Sequence, residues 1–253
     1  MTLLDIKGLS VRLGGRTVVD DVGISVRPGE CIGLIGPNGA GKSTLMRAAL
    51  GLIPFTGHSN LTKLSPHARA LAAAWLPQQR EIAWGMAVEE LVKLGRLPHR
   101  RPGAPLSDAD RIAITEAMRA ADVTVLSDRS ASSLSGGEQA RVLLARVLAQ
   151  NAPLTLADEP IAALDPAHQI ATMEIFVARA QQGHTVVTAL HDLGLAARWC
   201  TRLILMDQGR VVADGAPAEV LTPDRLRAIY GITAHVADTP DGLIILPLSR
   251  CAP

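Results

Sequence analysis

Aromatic side chains make up only 2% of the 253 residues, so the interior cannot be built from stacked rings. It must be built from Leu, Val, Ile and Ala, and a hydrophobic share of 48% is enough for a sizeable core. Neither sign of charge dominates: 25 Lys and Arg against 24 Asp and Glu give a formal charge of +1. That balance leaves no electrostatic footprint for nucleic acid. No apolar run approaches the roughly 18 residues of a membrane span. The opening Met1-Thr2-Leu3-Leu4-Asp5 lacks the basic start and apolar stretch of a signal peptide. Cysteine is scarce as well. Cys31, Cys200 and Cys251 are odd in number, lie far apart and form no metal or redox pattern, which fits a cytosolic chain. Internal repeats, low-complexity segments and flexible linkers are also missing. The length suits one large domain, or one domain with an inserted lobe.

What is present is organised around Gly36-Pro37-Asn38-Gly39-Ala40-Gly41-Lys42-Ser43, followed by Thr44. The spacing G-x-x-x-x-G-K-[ST] is that of a phosphate-binding loop. The run Cys31-Ile32-Gly33-Leu34-Ile35 before it is short and apolar, with Pro28-Gly29 in front, and predicts a buried strand. Residues 43–50 hold no Pro or Gly and predict a helix that Gly51 ends. Strand, glycine loop and helix are the context such a loop needs. Glycines let the backbone turn tightly and present successive N–H groups to an anion, and the new helix adds its positive end. Lys42 is expected to reach the β- and γ-phosphates, and Ser43 to place its hydroxyl on Mg²⁺.

Around this centre, residues 3–13 and 17–27 predict two strands joined through Gly14-Gly15-Arg16. Residues 54–65 are polar and glycine-bearing, and a strand is expected at 72–76, ending at Pro77-Gln78-Gln79. Between 87 and 150 the pattern is helical, with one helix at 87–94 and another from Ser107, a good N-cap, to about 121. Residues 97–105, with three prolines and the basic run His99-Arg100-Arg101, predict an exposed loop. Leu134-Ser135-Gly136-Gly137-Glu138 opens a helix over 139–149. It reads either as an ordinary Ser-Gly cap or as a second anion site, and the latter would serve a nucleotide held by another copy. Leu154-Thr155-Leu156-Ala157 predicts a buried strand ending in Asp158-Glu159. Asp158 is placed to hold Mg²⁺, and Glu159 to take a proton from a water attacking the γ-phosphate. Asp165 caps a helix with Pro166 at its first position. Residues 185–190 predict a strand with His191 at its end, the edge where parallel sheets bind ligands. Strands at 202–206 and 210–213, helical signals over 216–230 and a hairpin within 233–246 complete the chain.

With the phosphate loop, 134–138, Asp158-Glu159, Ala163-Leu164-Asp165 and His191 in this order, the chain resembles the nucleotide-binding subunit of ABC transporters over nearly its whole length. The resemblance implies a P-loop NTPase fold of the α/β class with a mainly parallel core sheet and an antiparallel β lobe. A helical lobe at 87–150 would be inserted between core segments 1–86 and 151–253. It implies ATP and Mg²⁺ as cofactors, ATP hydrolysis, and two copies paired head to tail. Each ATP would lie between one copy's phosphate loop and the other's Leu134, Ser135, Gly136, Gly137 and Glu138. Gln78 would touch Mg²⁺ or the attacking water, Asp165 would stand at the dimer interface, and His191 would meet the γ-phosphate. The implied partners are an integral membrane permease and, indirectly, a periplasmic-type substrate-binding protein, with no nucleic acid. The implied location is the cytoplasmic face of the inner or plasma membrane.

Three features depart from the family pattern. Leu13 stands where an aromatic residue usually stacks on adenine, Glu138 stands where Gln is commoner, and residues 57–64 look shorter than usual, which would trim the β lobe. His168-Gln169, the run from His191 to Arg198, and Glu219-Val220-Leu221-Thr222-Pro223 look like the ATPases of iron–siderophore, haem and cobalamin importers. Zinc and manganese importer ATPases are the near alternative, and a soluble ABC ATPase acting on nucleic acid or ribosomes is a more distant one.

Overall fold

The computed structural model describes residues 2–78, 82, 85–101, 103–162, 164–239 and 242–251. Of the positions singled out above, Gln79, Pro102 and Ala163 lie outside them. The chain opens with β1 (Leu4–Leu13) and β2 (Arg16–Val26), an antiparallel pair turned at Gly14-Gly15. Next come β3 (Cys31–Ile35), α1 (Lys42–Ala49), β4 (Thr56–Ser59), α2 (Pro66–Ala72) and β5 (Ala73–Leu76). Three helices follow: α3 (Val88–Lys93), α4 (Asp108–Ala120) and α5 (Gly136–Gln150). The chain then alternates through β6 (Leu154–Asp158), α6 (Pro166–Gln181), β7 (Thr185–Ala189), α7 (Leu193–Trp199) and β8 (Arg202–Asp207). It closes with β9 (Arg210–Gly215), α8 (Pro217–Val220), α9 (Pro223–Tyr230), β10 (Ile232–Thr239) and β11 (Gly242–Arg250).

The central sheet runs β5-β6-β7-β3-β8-β9, with only β9 antiparallel. Its inner strands are covered on both faces, which is why every residue of β3, β6 and β7 is buried, β3 as a continuous apolar run and β6 and β7 with only Thr155, Asp158, Thr185 and Thr188 polar. The two-residue period then sorts side chains between two cores. Cys31 and Ile35 of β3, with Leu203 and Leu205 of β8, face the core shared with α3 to α7. Ile32 and Leu34, with Ile204 and Met206, face the core shared with α1, β1 and β2. One apolar cluster joins the sheet to α3, α4 and α5 without a break. The fold class expected from the sequence, a mainly parallel sheet with an antiparallel lobe, is the one observed.

Elements β4, α2 and α7 escaped the sequence reading. Within 54–65, β4 pairs with β1 to complete a three-stranded antiparallel sheet, β2-β1-β4, although Thr56-Gly57-His58-Ser59 has no apolar alternation. Helix α2 is seven residues long, started by Pro66 and capped by the Ser65 hydroxyl. The helical signal over 216–230 resolves into two helices, because Pro223 begins a new one that Thr222 caps. The loop expected over 97–105 begins instead as the end of a 3₁₀ helix (Leu94–His99), and its described residues are exposed or half-buried but not free. His99 Nε2 bonds the Gln150 carbonyl at 2.7 Å, and just before it the buried Arg96 Nε donates to Asp110 Oδ1 at 2.8 Å and Nη1 to the Ala149 carbonyl at 2.9 Å. Among the described residues no helix is long and apolar enough to cross a membrane.

Candidate active site

Parallel strands place their carboxyl ends on one edge, and ligands gather where the strand order reverses. Here β3 sits between β7 and β8, so the loops after β5, β6, β7 and β3 open on the same edge. Those loops carry Gln78, Asp158-Glu159, His191 and the glycine loop.

The glycine loop is built by backbone freedom. Gly36 has φ 144°, and a Cβ there would stand 2.1 Å from the Met206 carbonyl oxygen. Gly41 has φ 100°, and a Cβ would meet the Val18 carbonyl oxygen at 2.7 Å. Gly41 also precedes α1 without a side-chain cap, so the first N–H groups of that helix are left for an anion. Lys42 is 5% exposed; its Nζ donates to the carbonyls of Gly36 at 2.6 Å and Pro37 at 3.1 Å. Burial lowers the Lys42 pKa, and the charges of Glu159 and Asp158 oppose that. The β8–β9 turn braces the loop from behind. Gly209 N–H donates to the Ala40 carbonyl at 3.1 Å, and Asp20 N–H donates to the Gly209 carbonyl at 2.9 Å.

Ser43 Oγ donates to Asp158 Oδ1 at 2.8 Å. Asp158 is fully buried and, among the described residues, its Oδ2 has no hydrogen-bond partner. Burial raises its pKa, against the Ser43 bond that lowers it. A hydroxyl beside a carboxylate with an unmatched buried oxygen is a hard-oxygen donor set. It suits Mg²⁺, which usually takes one or two carboxylates and completes its shell with phosphate oxygens and water.

Glu159 is held out of regular backbone, at φ 50°, on the order of 1–3 kcal/mol of strain for a non-glycine residue. Its carboxylate joins two groups from other strand ends. Gln78 Nε2 donates to Oε2 at 2.8 Å, and His191 Nε2 donates to Oε1 at 2.5 Å. A pocket of about 150 Å³ is lined by Asn38, Gly39, Ala40, Gly41, Lys42, Ser43 and Thr44, with Val18, Glu159 and His191. The site thus offers a phosphate cradle, a buried cation, an oxygen pair for a metal, and a carboxylate oriented by a His and a Gln.

Not every predicted site residue meets there. Leu13 ends β1 with 46% exposure and is not part of the pocket wall, whereas Val18 of β2 is. Nothing in the sequence pattern marked Val18, because only the fold of the hairpin over the loop brings it there. Leu134, Ser135, Gly136, Gly137 and Glu138 also lie outside this pocket. They open α5 with a reciprocal capping box. Ser135 N–H and Oγ each donate to Glu138 Oε2 at 2.8 Å, and Glu138 N–H donates back to Oγ at 3.3 Å. Those bonds from Ser135, its backbone N–H first, lower the Glu138 pKa. Asp165 caps α6, its Oδ1 accepting from His168 N–H at 3.0 Å.

Residues 19–162 match the family described as ABC transporter. The chain is 44% identical over 248 residues to the hemin import ATP-binding protein HmuV of Rhodococcus jostii (strain RHA1), covering 95% of this chain and 84% of that one. It is 43% identical over 244 residues to the cobalamin import ATP-binding protein BtuD of Halobacterium salinarum (strain ATCC 29341 / DSM 671 / R1), covering 94% of this chain but only 61% of that relative's length. Among solved structures it is similar to a dimeric post-hydrolysis ATP-binding cassette bound to ADP and Pi. That match has a TM-score of 0.74 and 26% identity, over 85% of this chain and 98% of that one. Motifs, strand-edge geometry and relatives agree: the chain belongs to the ABC transporter family, as an ATP-binding subunit with ATPase activity.

Proposed function

We propose that this subunit powers an importer for iron–siderophore, haem or cobalamin, working as a head-to-tail pair on a membrane permease at its cytoplasmic face. The observation that carries the catalytic part is the convergence of Lys42, Ser43–Asp158 and Gln78–Glu159–His191 on one sheet edge. The importer part is supported by relatives named for hemin and cobalamin import.

In this reading the loop N–H groups and Lys42 hold the β- and γ-phosphates of ATP. Ser43 and Asp158 would hold Mg²⁺, with Gln78 beside it, and the ion would neutralise charge on the phosphates. Glu159, aimed by Gln78 and His191, accepts a proton from water as its oxygen bonds to the γ-phosphorus. The bond to the bridging oxygen breaks, leaving ADP and phosphate. Residues 87–150 act as a helical lobe that presents 134–138 to the nucleotide of the second copy, and Asp165 stands at that interface. Support for pairing comes from the position of 134–138 outside their own chain's pocket and from the dimeric neighbour. A substrate-binding protein on the far side of the membrane completes the system.

The test is recovery of the tagged chain from its native membranes, followed by identification of what accompanies it. A multi-span permease with a binding protein carrying an iron chelate, haem or cobalamin is expected. Recovery of soluble proteins or nucleic acid alone would overturn the transport reading.

A further inference from the structure

One polar chain in the structure lies outside the catalytic pocket and links α5 to α6. It lies one turn beyond the capping box of Ser135 and Glu138. Arg141 follows Glu138 by three residues on α5, so the two share a helix face. Its charge helps to lower the Glu138 pKa, behind the Ser135 bonds and the charge of Arg129. Arg129 Nη1 lies 3.7 Å from Glu138 Oε1 of the same carboxylate. From α5, Arg141 Nη1 reaches across to His168 Nε2 on α6. His168 Nδ1 then meets Asp165 Oδ2 at 2.6 Å, while Asp165 Oδ1 accepts the His168 backbone N–H at 3.0 Å.

The chemistry fixes the direction of each bond. A carboxylate only accepts, so Nδ1 carries the ring proton. A guanidinium only donates, so Nε2 offers its lone pair. The line runs Arg141 to His168 to Asp165, with no ambiguity of tautomer. The helix around it is ordered too, since Thr172 Oγ1 donates to the His168 carbonyl at 2.8 Å. His168 and Asp165 are partly exposed, so the line lies near the surface rather than in the core. Its stabilising value as a surface pair is small. Its geometric content is larger, because it ties the second turn of α5, one turn after 134–138, to the residue that heads α6.

We infer that Arg141 and His168 are positioning residues that hold the start of α5 and Asp165 as one unit, so that both interface segments engage a second copy of this chain together. This inference rests on the head-to-tail pairing proposed above. It assigns to His168 a role in nucleotide-driven pairing rather than in the chemistry at its own chain's phosphate loop.

The experiment uses the full chain with Glu159→Gln, in which ATP is expected to bind with little turnover, and reads the ATP concentration that gives half-maximal dimer by light scattering. Arg141→Met keeps the aliphatic stem and removes the donor. His168→Asn keeps a donor toward Asp165 and removes the acceptor for Arg141. Each is expected to raise that concentration about tenfold, and the double variant is expected to be no worse than the weaker single, as for one shared interaction. ATP binding by the monomer should stay within about twofold, and Arg141→Lys should restore pairing to within about threefold. Multiplying effects, a parallel loss of monomer affinity, or failure of the lysine rescue would overturn the inference. If the chain with an intact Arg141–His168 pair forms no ATP-dependent dimer, the pairing reading itself falls. If it dimerises and the variants act independently, only the positioning role falls.

Discussion

Replacing Glu159 by Gln separates binding from chemistry in this site. The carboxylate accepts from Gln78 at 2.8 Å and from His191 at 2.5 Å. The amide has nearly the same shape and the same backbone cost at φ 50°, so the fold is expected to tolerate it. Either orientation of the amide turns an NH₂ toward one of the two former donors. One hydrogen bond is then lost, worth about 1 kcal/mol. None of the groups that would grip phosphate is altered, since Lys42 and the N–H groups of the loop remain in place. The capacity to accept a proton is lost entirely. A positioned base typically contributes about 10²–10⁴ in rate, or about 2.7–5.4 kcal/mol at 1.36 kcal/mol per factor of ten. Phosphate release at saturating ATP should therefore fall at least about 100-fold, while titration with a fluorescent ATP analogue should show an affinity within about threefold of wild type. Turnover within about threefold of wild type would refute Glu159 as the base. A matching loss of affinity would show instead that the carboxylate holds the pocket in shape.

Lys42→Ala removes the buried cation and leaves the Gly36 and Pro37 carbonyls without that donor; nucleotide affinity should drop more than about tenfold in the same titration. Gly36→Ala forces a Cβ against the Met206 carbonyl at φ 144°, so a lower melting temperature is expected together with lost ATP binding. Asp110→Asn breaks the buried pair with Arg96 and should cost about 3 kcal/mol in urea unfolding. Bonds from the Ser107 hydroxyl, and then Arg96, hold the Asp110 pKa down at about 2 against an ordinary 3.8. A folded-state value below the unfolded one stabilises the fold above the unfolded value. The wild type should therefore keep this advantage above about pH 3.8 and lose it as pH falls through about 2, and the gap to Asp110→Asn should narrow over that window. Chelation of divalent cations should abolish phosphate release, and Ser43→Ala should raise the Mg²⁺ concentration needed for half-maximal turnover about tenfold.

Much of this molecule was legible along the chain because its determinants are local. The loop at 36–44 declares itself through glycine spacing, since a backbone that turns this tightly tolerates no Cβ at Gly36 or Gly41. The buried strands β3, β6 and β7 show as short, mostly apolar segments because both faces of the sheet are covered. Ser107, Ser135 and Asp165 announce their helices by the caps they form. What the sequence left open depends on partners distant in the chain. Strand β4 exists because β1 offers it an edge, not because Thr56-Gly57-His58-Ser59 favours extended structure. Leu13, expected from the family resemblance to pack on adenine, ends half-exposed, while Val18 reaches the pocket wall through the hairpin's path over the loop. Gln78, Glu159 and His191 meet because the order β5-β6-β7-β3 brings their strand ends to one edge, a fact of topology that no local spacing encodes. The Arg141–His168–Asp165 line likewise depends on α5 passing α6, two helices separated by a buried strand. Turn geometry and burial are written residue by residue, whereas the meeting of side chains is set by how the sheet is wound.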